Sequence, residues 1–199
     1  MTNDLITESQ YFGSIDFYKT SINFTHWKIE VYERWQKALP LNRCYLLGPN
    51  GPLLLSVPLE AGRAQKGPFK DVRISYREHW GLRHWRSIHD AYKKSPWFEH
   101  YVDTLQPLFE QRPDYLLDWN KMTMEWVLTQ LNWKGEIEEA KGEYPEAKDR
   151  RGHSKLKPEM DVPYTYTQVF GDRHAFIGNL SILDLLFCEG PSAARKLLG

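Results

Sequence analysis

The sequence has two cysteines in 199 residues, Cys44 and Cys188, far apart and each in an apolar context. That scarcity excludes a disulfide-stapled scaffold and a cysteine-rich zinc module, and the pair reads as buried thiols in a reducing cytoplasm. An excess of charge is also missing, because 26 basic side chains balance 26 acidic ones. No overall field draws the chain to nucleic acid or to an anionic membrane. Long apolar runs are absent, whereas a membrane-spanning helix needs about 20 apolar residues, so no membrane insertion is expected. The opening MTNDLITESQ has neither the basic flank nor the apolar stretch of a signal peptide, and a cytoplasmic protein is the expectation. No repeat or low-complexity tract stands out.

Aromatic side chains are plentiful at 14%. They suit a deep core, and equally a pocket for a sugar or a base. The stretch from His79 to Tyr101 holds four of the seven histidines and three of the eight tryptophans. Trp80, Ile88 and Tyr92 recur at helical spacing, so the stretch predicts a helix, a break at Ser95-Pro96 and a second helix. Ser95 is suited to cap that second helix and Pro96 to its first turn. His84 falls inside the apolar arc, while Arg83, Arg86 and Lys93 point elsewhere.

Elsewhere the pattern alternates between strands and helices. Leu5 to Phe12 is weakly strand-like, Ile15 to Phe24 predicts a helix, and His26 to Tyr32 alternates as a half-buried strand. A strand–helix–strand opening favours a parallel pair. Asn42 to Pro58 reads as a hairpin around Gly48-Pro49-Asn50-Gly51-Pro52. Val72 to Ser75 reads as a short strand, and a third central helix follows Pro113-Asp114. Residues 134–160 are densely charged with mixed signs and predict an exposed or disordered excursion. Tyr164 to Phe170 alternates like a strand, Asn179 is a candidate N-cap, and Leu180 to Cys188 is an apolar helix. The expectation is a single α/β domain over 1–199. A mixed β-sheet including the hairpin would be covered by helices, with a helical middle segment.

Several residues are candidates for chemistry. His84 stands either as a general base or as a satisfied core histidine. Asp184 reads as a site carboxylate or as a solvent-facing or capping aspartate; if buried it needs a partner, for which Arg43 or a basic residue of 79–101 is available. Asn42-Arg43 places a guanidinium at a strand entrance, suited to an anion. The loop from Gly62 to Lys70 carries Lys66 beside two glycines and can cradle a phosphate or carboxylate, or simply connect. Arg83 and Lys94 are further anion donors, and Asn179 and Ser181 are polar residues at the start of the last long helix. His79, His84 and His89 are five apart, which spreads them around a helix and argues against a metal site. No cofactor motif appears. These side chains point to a small anionic or sugar-type substrate; the oligomeric state is not legible.

The motifs also carry a resemblance. Tyr11-Phe12-Gly13-Ser14-Ile15-Asp16-Phe17-Tyr18, Asn42-Arg43-Cys44, Val57-Pro58-Leu59, Lys70-Asp71-Val72-Arg73-Ile74, His84-Trp85-Arg86-Ser87-Ile88, Tyr92-Lys93-Lys94-Ser95-Pro96-Trp97-Phe98, Gln168-Val169-Phe170-Gly171, and Asn179-Leu180-Ser181-Ile182-Leu183-Asp184-Leu185-Leu186-Phe187 with Glu189-Gly190-Pro191 follow one family in order. The chain resembles the WbqC-like protein family, in the short form of Bacteroidetes-type members. The resemblance implies a link to bacterial surface-polysaccharide (O-antigen, lipopolysaccharide) synthesis. It also implies a possible transfer of glycine or another aminoacyl group to a sugar, the alternative being a non-catalytic protein that binds an anionic metabolite or a partner. It brings no established catalytic residues. Gly13 and Gly178 stand where the family usually has Pro, and both changes are expected to loosen the adjacent turns.

Overall fold

The computed structural model of the chain describes residues 3–141, 147–152, 157–160 and 162–198. The opening is strand–helix–strand: β1 (Asp4–Thr7), α1 (Ile15–Ser21) and β2 (His26–Ile29), with β1 and β2 paired in parallel, Asp4 opposite His26 and Thr7 opposite Ile29. Trp27 and Ile29 are fully enclosed on β2, as the alternation requires. The chain then makes the antiparallel hairpin of β3 (Arg43–Gly48) and β4 (Gly51–Ser56), with Gly51 at φ 104° in the turn.

The strands are distributed differently from the sequence expectation. The parallel sheet has the order β5-β2-β1-β6, and the hairpin stands as its own two-stranded sheet. Its outer strands β5 (Glu136–Glu139) and β6 (Lys148–Asp149) come from the charged stretch expected to be an excursion. Their charges stay outside, and ion pairs of Lys28 with Glu138 and of Lys121 with Glu139 hold β5 in place. Residues 142–146 and 153–156 of that stretch lie outside the described residues.

Two expected strands do not form ladders. Val72–Ser75 makes one isolated bridge on each side, Ile74 with Leu59 and Arg73 with Tyr115. In Tyr164–Phe170, Gln168 uses its side-chain amide where a strand partner would sit. Its Oε1 accepts from Ile177 N at 3.0 Å and its Nε2 donates to Ile177 O at 2.8 Å.

The middle is helical: α2 (Trp80–Tyr92), α3 (Phe98–Leu105) and α4 (Leu116–Gln130). Ser95 does not cap α3. Trp97 takes that position, and the Ser95 hydroxyl instead donates to Tyr92 O at 2.7 Å, closing the end of α2. Trp119, on α4, is fully buried and packs edge-on against Trp80 at 5.3 Å. The chain ends with α5 (Ile182–Glu189) and α6 (Ala193–Leu198). Among the described residues no helix is long and apolar enough to cross a membrane.

Candidate functional site

The strand entrance at Asn42-Arg43 opens on a pocket of about 500 Å³ lined by Trp35, Lys37, Asn42, Arg43, Ser56 and Gly62 among others. That volume lies in the usual range for a small-molecule site. Asn42 fixes the base of the hairpin: its Nδ2 donates to Val57 O at 2.8 Å, and its backbone carbonyl accepts from Val57 N at 2.9 Å. Trp35 is held by its stack on Phe69, with centroids 6.4 Å apart and planes at 17°. Arg43 is half-buried and donates only through Nη2, to Lys37 O at 2.6 Å and Leu39 O at 3.3 Å. Neither Arg43 nor Lys37 pairs with a carboxylate among the described residues. Two uncompensated cations beside an indole and an amide suit an anion carried on a ring.

Arg43 also lines a second, much smaller space of about 10 Å³, with Gln10, Ser14, Cys44, Tyr45, Asn179 and Ser181. That is about the room one water needs. Here two helix starts meet. Ser14 caps α1 by accepting from Phe17 N, and Asn179 Oδ1 accepts from Asp16 N at 3.3 Å. Ser181, not Asn179, is the N-cap of α5; its Oγ accepts from Leu183 N and donates to Phe12 O at 2.8 Å. That bond steadies Phe12, a bulky residue at φ 39° where an aromatic side chain is strained by roughly 1–3 kcal/mol. Ser181 N also donates to Tyr45 O at 2.7 Å, so this serine joins the opening, the hairpin and α5.

A family model matches residues 9–157. The chain belongs to the WbqC-like protein family. No curated protein and no solved structure matches the chain. The matched stretch of this WbqC-like chain includes Asn42, Arg43 and His84. Asn179, Ser181 and Asp184 lie beyond it, so there the resemblance rests on the motifs alone.

His84 and Asp184 are separate in this WbqC-like fold. His84 Nδ1 bonds the Tyr11 hydroxyl at 2.9 Å, and neither His84 nor Asp184 lines the pockets that Arg43 shares. Burial first, then the Arg83 charge, pushes the His84 imidazole down from 6.5 to about 4, opposed by the Ser56 backbone. It is therefore neutral at pH 7 and a weak base. Asp184 is fully enclosed and takes three bonds: from Tyr92 at 2.7 Å, Tyr166 at 2.6 Å and Gln168 Nε2 at 2.9 Å. Its partners are neutral donors, not Arg43 or a cation of 79–101. The Tyr92 oxygen accepts from Leu47 N at 3.0 Å, so its proton points to Asp184. Burial raises the Asp184 pKa and the three bonds pull it back without cancelling the rise.

The other candidates spread out. Lys66, Arg83 and Lys94 are exposed and line neither pocket, and Arg83 pairs with Glu78. Among the described residues no group of His, Cys, Asp or Glu is placed to hold a metal ion. Cys44 and Cys188 are free and buried. The two unusual glycines are packed rather than loose. A Cβ on Gly13 would meet Gln10 Oε1 at 3.0 Å, and one on Gly178 would meet Val162 at 2.4 Å. Gly178 N also donates to Glu159 O at 2.7 Å, a bond proline cannot make. Sequence reading missed Trp35 and Lys37. Their signal was an indole and a cation two residues apart, just ahead of Asn42-Arg43.

Proposed function

We propose that the protein binds an anionic, sugar-type small molecule in the pocket beside Arg43. The observation that carries this is the pair of uncompensated cations, Arg43 and Lys37, set beside Trp35 and Asn42. Asn42 and Arg43 meet the ligand. His84, Asp184, Asn179 and Ser181 hold the frame around it, and Lys66, Arg83 and Lys94 act at most on the approach of an anion. The biological context proposed with it is bacterial surface-polysaccharide synthesis, a reading that the family resemblance supports, and a cytoplasmic place of action fits the two free thiols.

The reaction that context suggests is transfer of an aminoacyl group to a sugar amine. The amine attacks the acyl carbonyl, a new amide forms, the donor's leaving group departs and the amine loses a proton. Arg43 and Lys37 suit the developing oxyanion. A second reading, non-catalytic binding, has its own support: no carboxylate or imidazole is among the described residues that line the pocket. The test is a thermal-shift screen with sugar phosphates, nucleotide sugars, amino acids and acyl donors. A ligand at 100 times its dissociation constant adds about 2.7 kcal/mol of stability. A shift with an anionic sugar that Arg43→Ala removes supports the reading; no shift with any compound overturns it. Turnover of a sugar amine with an acyl donor then decides between the two readings.

A further inference from the structure

A groove of about 480 Å³ runs between α2 and α3 and shares no lining residue with the Arg43 pocket. Leu82, Trp85, Arg86 and His89 recur at i, i+3, i+4 and i+7 and form one wall. Phe98, Glu99, Val102 and Gln106 form the other. The floor is aromatic: Trp85 stacks on Phe98 at 6.1 Å and 22°, and His89 meets Phe98 edge-on at 5.6 Å. Above it, Arg86, Glu99 and Gln106 are exposed, and their side chains make no hydrogen bond or ion pair with the described residues. Asp90 is satisfied by Lys93 at 3.1 Å. The groove therefore carries no net positive charge: Arg86 stands with Glu99 and Asp90 on its walls, and Asp90 is paired by Lys93 beside it.

We propose that this groove binds the ring of a neutral sugar. A pyranose has an apolar face that fits an aromatic floor and a rim of hydroxyls that both donate and accept. Arg86 donates, Glu99 accepts and Gln106 does both, so hydroxyls find partners on both walls. A helix laid apolar face down would cover those three side chains and leave them unpaired, which is costly. A phosphate finds no net positive charge here, unlike in the Arg43 pocket.

The test follows the indole N–H signals in proton–nitrogen NMR spectra of the whole chain, with Trp85 assigned from its loss in Trp85→Phe. Methyl glycosides of glucose, galactose, mannose and N-acetylglucosamine are titrated, with sorbitol as an acyclic control. At least one glycoside should shift the Trp85 signal with saturation at about millimolar concentration, and sorbitol should not. Arg86→Ala and Glu99→Ala, both exposed, should each weaken that response about tenfold, the loss of one charged hydrogen bond, without changing Tm. Arg43→Ala should leave it intact. The proposal is overturned if no glycoside moves Trp85, if sorbitol moves it equally, if Arg86→Ala and Glu99→Ala leave the response unchanged, or if Arg43→Ala abolishes it.

Discussion

Asp184 and Arg43 are both charged groups taken out of bulk water, and the fold treats them in opposite ways. Around Asp184 both carboxylate oxygens are bonded: three donors converge on them, and the two amide bonds of Gln168 to Ile177 fix which end of Gln168 faces the carboxylate. No opening reaches it at 0% exposure. Arg43 gives one nitrogen to two backbone carbonyls and lines a pocket together with Lys37. A satisfied, sealed charge holds a structure together; an unsatisfied charge at a cavity wall awaits a ligand. On this difference rests the proposal that Asp184 belongs to the framework and Arg43 to the binding site.

Substitutions should separate the two roles, and the largest effect belongs to Asp184. Asp184→Ala removes the acceptor of the Tyr92 and Tyr166 hydroxyls and of one Gln168 N–H, and should cost about 3–5 kcal/mol in urea unfolding. If it costs less than about 1 kcal/mol, the cluster is not the clasp described above.

Next comes pH. The folded pKa of His84 lies below its unfolded value, so the stability it contributes is present above 6.5 and is lost as pH falls toward about 4. The full loss amounts to about 3 kcal/mol. Asp184 has the opposite sign. Its folded pKa is raised above 3.8, so its share is present at low pH and declines as pH rises through the folded value. The slope of unfolding free energy against pH between 4 and 7 should therefore be less positive in His84→Gln than in the parent, whatever the opposing share of Asp184. An equal slope in both would remove His84 as its cause.

Ser181→Ala deletes the α5 cap and the bond to Phe12 O, and should cost about 1–2 kcal/mol with ligand affinity altered only modestly. Smallest on stability is Arg43→Ala, at about 0.5–1.5 kcal/mol for its backbone bonds, but it should weaken anion binding at least tenfold in calorimetry. A large stability loss with unchanged affinity would reverse the comparison.

Sequence and structure agree where local chemistry decides the outcome. The alternation at Trp27 and Ile29, the glycine turn of the hairpin and the apolar arc of α2 each fix a backbone choice within a few residues. The sheet edges were not legible, because β5 and β6 are charged on their open sides and take their order from partners more than 100 residues away. Tyr164–Phe170 alternated as a strand does, yet it meets the Ile177 backbone through the Gln168 side chain, which a period of two does not encode. Asn42-Arg43 was readable as a candidate anion contact or a partner for Asp184 because it sets a guanidinium at a strand entrance; the structure removes the second option. Lys37 and Trp35 were not readable, since they join that site only when the loop before the hairpin folds back across it. The same holds for Asp184: its need of a partner if buried was legible, but two tyrosines and a glutamine drawn from two distant segments are not a spacing.

The most direct measurement is calorimetric titration of a sugar phosphate and a nucleotide sugar into the parent chain, Arg43→Ala and the conservative Arg43→Lys. Saturable binding to the parent is expected, with partial retention in the lysine variant and loss in the alanine variant, while all three proteins keep the same unfolding cooperativity. Binding that survives in Arg43→Ala, or that is absent from the parent for every anionic sugar tried, would contradict this reading.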